Sequence, residues 1–71
     1  MRRRKVIERL RTEAKARRLA FTVRELTRHT AITVGGTIRT IARHAEIDDV
    51  TAHRFWDQFA DEFGGKGWWR P

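Results

Sequence analysis

Apolar residues near the start of the chain recur at helical spacing. Val6, Ile7, Leu10 and Ala14 stand side by side or one helical turn apart, and arginine, lysine and glutamate fill the positions between them. This period places the four apolar side chains on one face of a helix and the charged side chains on the other. The pattern predicts an amphipathic helix over residues 3–19.

A dense run of β-branched residues follows this helix. Thr, Val and Ile crowd the stretch from Phe21 to Arg43, and these residue types favour strands. Gly35-Gly36 lies inside the run and indicates a two-residue hairpin turn of type I′, which needs a positive φ at both central positions. The sequence therefore predicts three strands, over about 21–27, 29–34 and 37–42.

The register of this hairpin separates the two sheet faces poorly. A two-residue turn pairs Val34 with Thr37 and Ile32 with Arg39, which places polar side chains opposite apolar ones. A β-bulge would repair the mismatch, so a bulged register stays open as an alternative.

A helix is a second interpretation of the same stretch. Five apolar residues also follow helical spacing, namely Val34, Ile38, Ile41, Ala42 and Ala45. They would form the recognition helix of a helix-turn-helix. The double glycine would then lie at the start of that helix, where a glycine costs up to about 1 kcal/mol. The spacing from Ile32 to Ile38 is also one residue too long for the usual turn.

Aromatic residues dominate the last third of the chain. Asp48-Asp49 is a good helix start, because an aspartate caps the first turn and its charge suits the helix dipole. An apolar stripe at helical spacing follows, formed by Ala52, Phe55, Trp56, Phe59 and Phe63. Gly64-Gly65 is expected to end this helix. In the remaining tail, residues 64–71, Trp68 and Trp69 must fold back on the core or be covered by a partner.

The order of these elements predicts one α+β domain over residues 1–71, of the α-β-β-β-α kind. A three-stranded antiparallel sheet would carry two helices on one face. Double-stranded-RNA-binding domains have this layout.

Charge is the main clue to function in the composition. The chain has 16 Lys and Arg against nine Asp and Glu, a formal net charge of +7. Only Arg54, Lys66 and Arg70 lie beyond residue 43, which leaves 13 basic residues in the first 43. Phosphates are the natural counterpart of such a surplus. We expect the basic front, including the run from Arg2 to Lys5, to contact RNA phosphates and the back to meet protein or solvent.

Length and composition exclude several other classes. A chain of 71 residues buries only about 60% of its unfolded surface, so its core is small. It has no Cys, and its three His show no metal-ligand spacing, so we expect neither a metal nor a cofactor. No apolar run approaches the roughly 20 residues that span a bilayer. The basic start is not followed by the apolar stretch of a signal peptide, which favours a cytoplasmic protein.

Two Arg-His steps frame the hairpin, and with them the chain resembles the HicA family of type II toxin–antitoxin systems. The resemblance covers about residues 5–63. It is carried by the opening helix at 5–10, by Arg24-Glu25 and Arg28-His29-Thr30, and by Ile41-Ala42-Arg43-His44-Ala45-Glu46-Ile47. Ala42 stands where the family usually has proline, and Thr27-Arg28 stands where many members have Gly-Ser.

The resemblance implies an mRNA interferase. This is a metal-independent endoribonuclease with the double-stranded-RNA-binding fold, neutralised by a HicB-like antitoxin with which it forms a hetero-oligomer. The catalytic histidine of the family maps to His29, and its second histidine maps to His44.

The chemistry of the residues agrees with this implication. RNA is cleaved without a metal when a base removes the 2′-hydroxyl proton and cations stabilise the phosphorane. His29 would transfer the proton, and the predicted RNA-contacting residues are Arg24, Arg28, Arg39, Arg43 and His44. Two alternatives remain open at this point. One is a non-catalytic RNA-binding module of the same fold, and the other is a small helix-turn-helix DNA-binding regulator.

Overall fold

A computed structural model describes all 71 residues. Its elements are α1 (Arg3–Ala16), β1 (Phe21–Glu25), β2 (His29–Val34), β3 (Thr37–Ala42), α2 (Asp49–Asp57) and α3 (Ala60–Phe63). The three strands form one antiparallel sheet in the order β1-β2-β3, with helices before and after it in the chain. The predicted α+β class is confirmed. The alternative prediction of a helix-turn-helix is wrong. It requires a recognition helix over residues 34–45, and most of that stretch is strand.

The hairpin keeps the register that a two-residue turn dictates. Val34 pairs with Thr37 and Ile32 pairs with Arg39, and the pairing continues without interruption to the end of β3. The alternative with a bulge is therefore wrong. The mismatch costs little, because β3 is an edge strand and Arg39 remains exposed on it.

The turn itself differs from the predicted type. Gly35 has a φ of 56°, but Gly36 does not have a positive φ. A type I′ turn needs both, whereas a type II′ turn needs a positive φ only at the first central position. A side chain at Gly35 would also overlap the carboxylate of Glu62, which accepts a hydrogen bond from the Thr37 hydroxyl at 2.7 Å. The turn is thus held against α3.

The core lies between one face of the sheet and the helices. Residues 30, 32 and 34 of β2 and Ile41 of β3 share that face and are buried. The apolar stripe of α1 is buried as predicted, and so is the stripe predicted for the last helix. Thr30 is the only buried polar residue. The opposite face of the sheet is uncovered, and it presents Arg24, His29 and Thr40 to solvent.

Two elements end earlier than predicted. Helix α1 stops at Ala16 rather than at residue 19, because Arg18 takes a positive φ of 57° and the Leu19 amide returns to the Ala14 carbonyl at 2.8 Å. Strand β1 stops at Glu25 rather than at residue 27. The chain turns there, and the Leu26 amide donates to the His29 carbonyl at 2.8 Å.

The predicted last helix is two helices. In a continuous helix the Trp56 carbonyl would accept from the Ala60 amide. Instead it accepts from the Phe59 amide at 3.0 Å and from the Trp68 indole at 2.8 Å. The helix therefore breaks between α2 and α3. Phe59 lies at the break and is fully buried.

The tail folds back on the core, which confirms one of the two predicted outcomes for its tryptophans. Trp68 and Trp69 are half-buried against the core residues. The Trp69 indole and the Gly67 amide both donate to Asp57, at 2.9 and 2.8 Å. The Trp69 ring stacks on His53 with 4.0 Å between ring centroids.

The start of the chain is fastened to the connection between β3 and α2. The Arg3 amide donates to the Ala45 carbonyl at 3.0 Å, and the Ile47 amide donates to the Met1 carbonyl at 2.8 Å. This short antiparallel pairing brings the first turn of α1 beside the end of β3. None of the helices has the length and apolarity needed to cross a membrane.

Candidate nucleic-acid interface

Four arginines line a cleft at the end of the sheet where β2 begins and β3 ends. The cleft has a volume of about 760 Å³. Its lining, which we call the arginine cleft, consists of Arg2, Arg3, Arg4, Arg43 and Ala45. The first turn of α1 supplies Arg3 and Arg4, the N-cap position before it supplies Arg2, and the segment after β3 supplies Arg43. The pairing of the chain start with residues 45–47 holds the two segments together.

Glu25 joins two of these arginines. Its Oε1 accepts from Arg3 Nη2 at 2.7 Å, and its Oε2 lies 2.9 Å from Arg43 Nε. The Thr30 hydroxyl donates to the same carboxylate at 3.0 Å and accepts from Arg3. The hydrogen bond from Arg3 is the largest of the effects that hold the pKa of Glu25 below its ordinary value of 4.5. The carboxylate is therefore ionised wherever the protein works near neutral pH.

The other donors in the arginine cleft are weakly engaged or have no acceptor in the protein. The Arg4 side chain makes no hydrogen bond or ion pair, and Arg2 reaches only Glu46, at 3.5 Å, while 81% exposed. The Nε of Arg3 is buried without a partner. Four guanidinium charges thus face two carboxylates, Glu25 and Glu46. The first turn of α1 carries no acidic residue, so the helix N-terminus adds to the positive potential.

His29 begins β2 on the uncovered face of the sheet. It pairs with Ala42 and is exposed, and no side chain forms a hydrogen bond with it. Arg24 pairs with Ala31 and shares this face, so it is a diagonal neighbour of His29. The adjacent Thr30 lies on the opposite, core-facing side of the sheet, where its hydroxyl contacts Arg3. His29 and the arginine cleft therefore occupy the same end of the sheet but open on different sides of it.

The structure brings three of the other predicted RNA-contacting residues to this end and leaves one apart. Arg43 lines the arginine cleft and also donates to the Leu26 carbonyl at 3.2 Å. His44 follows it and is exposed, and Arg28 is exposed in the turn before β2. Arg39 lies further along β3, where its guanidinium bonds the neighbouring Ile38 carbonyl at 2.7 Å.

Sequence reasoning missed the role of Glu25 and the convergence of Arg43 with the first turn of α1. One signal for Glu25 was present, because it is the only acidic residue between Arg17 and Ala45. A single carboxylate in so basic a stretch is expected to form an ion pair with one of the surrounding arginines. No feature of the sequence predicts that Arg43 lies beside the first turn of α1, because that proximity depends on the pairing of residues 1–3 with residues 45–47.

Protein-family models, curated proteins and solved structures were compared with the chain, and none of the three comparisons gives a match. Nowhere in the structure do three His, Asp or Glu side chains come together as a metal ion would need.

Proposed function

We propose that this protein binds RNA by its phosphates, with the arginine cleft as the principal contact. The convergence of four guanidiniums, balanced by only two carboxylates, carries the proposal. Arginine presents a planar fork of donors that matches phosphate oxygens in pairs. Arg4, with no partner in the protein, is free to make such a contact.

A polymer with regularly spaced charges fits this surface better than a single small anion. Exposed Arg24 and Arg28 extend the positive surface beyond the arginine cleft, around the end of the sheet. Successive phosphates of one RNA strand can occupy such a path. The α-β-β-β order with a following helix adds support, because double-stranded-RNA-binding domains share it.

Binding should weaken selectively when the free arginine is removed. We expect Arg4→Ala to lower the affinity for a short single-stranded RNA about five- to tenfold at low salt, and to reduce the slope of log K against log salt by about 0.7, the value for one phosphate contact. Lys15→Ala is the matched control, since it removes one positive charge from the far end of the same helix. Fluorescence anisotropy over a salt series measures both quantities.

The RNA-binding proposal fails if wild-type protein does not bind the RNA at low salt. It also fails in its assignment of the arginine cleft if Arg4→Ala and Lys15→Ala weaken binding equally. Thermal unfolding of both variants checks that each remains folded.

The position of His29 favours RNA cleavage as a second function. Its imidazole is exposed, has no partner within the protein, and lies at the same end of the sheet as Arg24 and Arg43. RNA held there would bring a 2′-hydroxyl to an acid–base group with cations nearby. Together with the resemblance to the HicA family, this supports an mRNA interferase that a HicB-like antitoxin neutralises. A non-catalytic RNA-binding protein remains the alternative.

The role of His29 is tested by cleavage of a long RNA. We expect His29→Ala to slow cleavage by about 10²–10⁴-fold, the usual cost of losing a positioned acid–base group, with the fold and the RNA affinity nearly unchanged. His53→Ala is a control, because His53 stacks on Trp69 in the tail region. Cleavage should persist in a chelator. Equal rates for wild type and His29→Ala would exclude His29 as the catalyst, and an uncleaved but bound RNA would favour the non-catalytic alternative.

A further inference from the structure

Glu25 is the one carboxylate that contacts the arginine cleft from within the sheet. It holds Arg3 at 2.7 Å and Arg43 at 2.9 Å, and no other carboxylate contacts either arginine. Glu25 is itself 45% exposed, so solvent reaches these ion pairs. Two of the four arginines in the arginine cleft are therefore engaged before any ligand arrives.

A carboxylate and a phosphate use the same donors. Both accept paired N–H bonds from a guanidinium, and a donor that points at one oxygen is not available to another. Partly exposed ion pairs contribute little to stability, so exchanging one acceptor for another costs little. The guanidiniums of Arg3 and Arg43 can thus pass from Glu25 to a phosphate without disturbing the fold.

We propose that Glu25 competes with RNA phosphate for Arg3 and Arg43 and so lowers the affinity of the free protein for RNA. The inference rests on the proposed RNA-binding function. In the free protein the carboxylate occupies both guanidiniums. When RNA binds, a phosphate replaces the carboxylate on at least one of them, while the Thr30 hydroxyl continues to donate to Glu25. Arg2 and Arg4 make the first contact, because neither depends on this exchange.

Removal of the competing charge should strengthen RNA binding. We expect Glu25→Gln to bind the short single-stranded RNA about fivefold more tightly than Glu8→Gln, the upper range for a partly exposed ion pair. Glu8→Gln is the matched control, since Glu8 pairs with Arg11 on α1 and its loss changes the net charge equally. The salt slope of Glu25→Gln should also be steeper by about 0.7. Glu25→Asp keeps the charge and should stay close to wild type.

A measurement on the unaltered protein does not depend on whether the variants fold. The side-chain carboxyl carbon resonance of Glu25 should move when RNA is added, while that of Glu8 should stay in place.

The outcomes separate this inference from the RNA-binding proposal. Equal gains in Glu25→Gln and Glu8→Gln would mean that only net charge matters and would overturn the competition. Weaker binding by folded Glu25→Gln would show that Glu25 orients the arginines, which also overturns it. A Glu25 resonance that RNA leaves unmoved, with binding intact, has the same consequence. If wild type and all variants fail to bind RNA, the proposed function fails and the competition fails with it.

Discussion

The aromatic end and the arginine end of this molecule differ in whether their most prominent hydrogen-bond donors, indoles in one and guanidiniums in the other, all find acceptors within the protein. At the aromatic end, formed by α2, α3 and the tail, every indole N–H has an acceptor. Trp56 donates to the Val6 carbonyl at 3.0 Å, Trp68 donates to the Trp56 carbonyl at 2.8 Å, and Trp69 donates to a carboxylate at 2.9 Å. At the arginine end, Arg4 has no partner at all. The first region satisfies its indole donors within the fold, whereas the second keeps a guanidinium free for a ligand.

The largest effect on stability should come from the aromatic end. Phe59 is fully buried at the junction of α2 and α3, and it packs edge-on against Phe55 with 5.4 Å between ring centroids. Phe59→Ala should cost about 3–5 kcal/mol, which is comparable to the whole stability of so small a domain. Thermal and denaturant unfolding should find the variant largely unfolded.

The control for this prediction is Ile38→Ala. Ile38 is 59% exposed on β3, so its truncation should change stability by less than about 0.5 kcal/mol. A cooperative, little-changed transition in Phe59→Ala would mean that the aromatic end is not the source of stability and would remove the contrast between the two ends.

Sequence periodicity was informative where burial decides the structure. The stripe from Val6 to Ala14 is the buried face of α1, and the predicted bounds of β2 and β3 match the structure. Periodicity cannot show the break at Phe59, because the residues that it marks are buried whether or not the helix is continuous. At the break, the Trp56 carbonyl accepts a hydrogen bond from the Trp68 indole, twelve positions away in the chain, and helical spacing carries no sign of that contact.

The candidate site was less predictable than the core. Basic composition indicated that the front of the chain meets phosphates, and the sequence singled out Arg24, Arg28, Arg39 and Arg43 together with the run from Arg2 to Lys5, without showing which of them converge. Only the pairing of the chain start with the segment after β3 selects the arginines of the cleft. The type of hairpin turn was wrong for a similar reason, since two glycines permit several turns and the contact between Gly35 and Glu62 is tertiary.

Acidification should lower the stability of the protein by a smaller amount, through one carboxylate at each end of the molecule. Hydrogen bonding from Arg3 is the main cause that lowers the pKa of Glu25. Burial raises the pKa of Asp57, but hydrogen bonds from Gly67 and Trp69 lower it more. A carboxyl with a lowered folded pKa stabilises the protein above its unfolded pKa, and this contribution is lost as the pH falls through the folded value.

The melting temperature should therefore hold near neutral pH and fall as the pH drops below the ordinary carboxyl values of 4.5 for Glu25 and 3.8 for Asp57. Calorimetry across this range measures the drop, and Glu25→Gln and Asp57→Asn should each reduce it. Because Glu25 is exposed, its contribution to the drop in melting temperature should be smaller at high salt. A melting temperature that stays constant or rises on acidification would contradict the assigned hydrogen bonds.

The contrast between the two ends is tested most directly by mapping RNA contacts along the whole chain. In a titration of ¹⁵N-labelled protein with a short single-stranded RNA at low salt, amide resonances should move most at residues 2–4, 24–30 and 43–45. Those of α2, α3 and the tail should stay nearly fixed. High salt should reverse the shifts, because the contacts are electrostatic. Shifts centred on the tryptophans of the tail, or no shifts at any salt concentration, would contradict the proposal that the arginine end binds RNA.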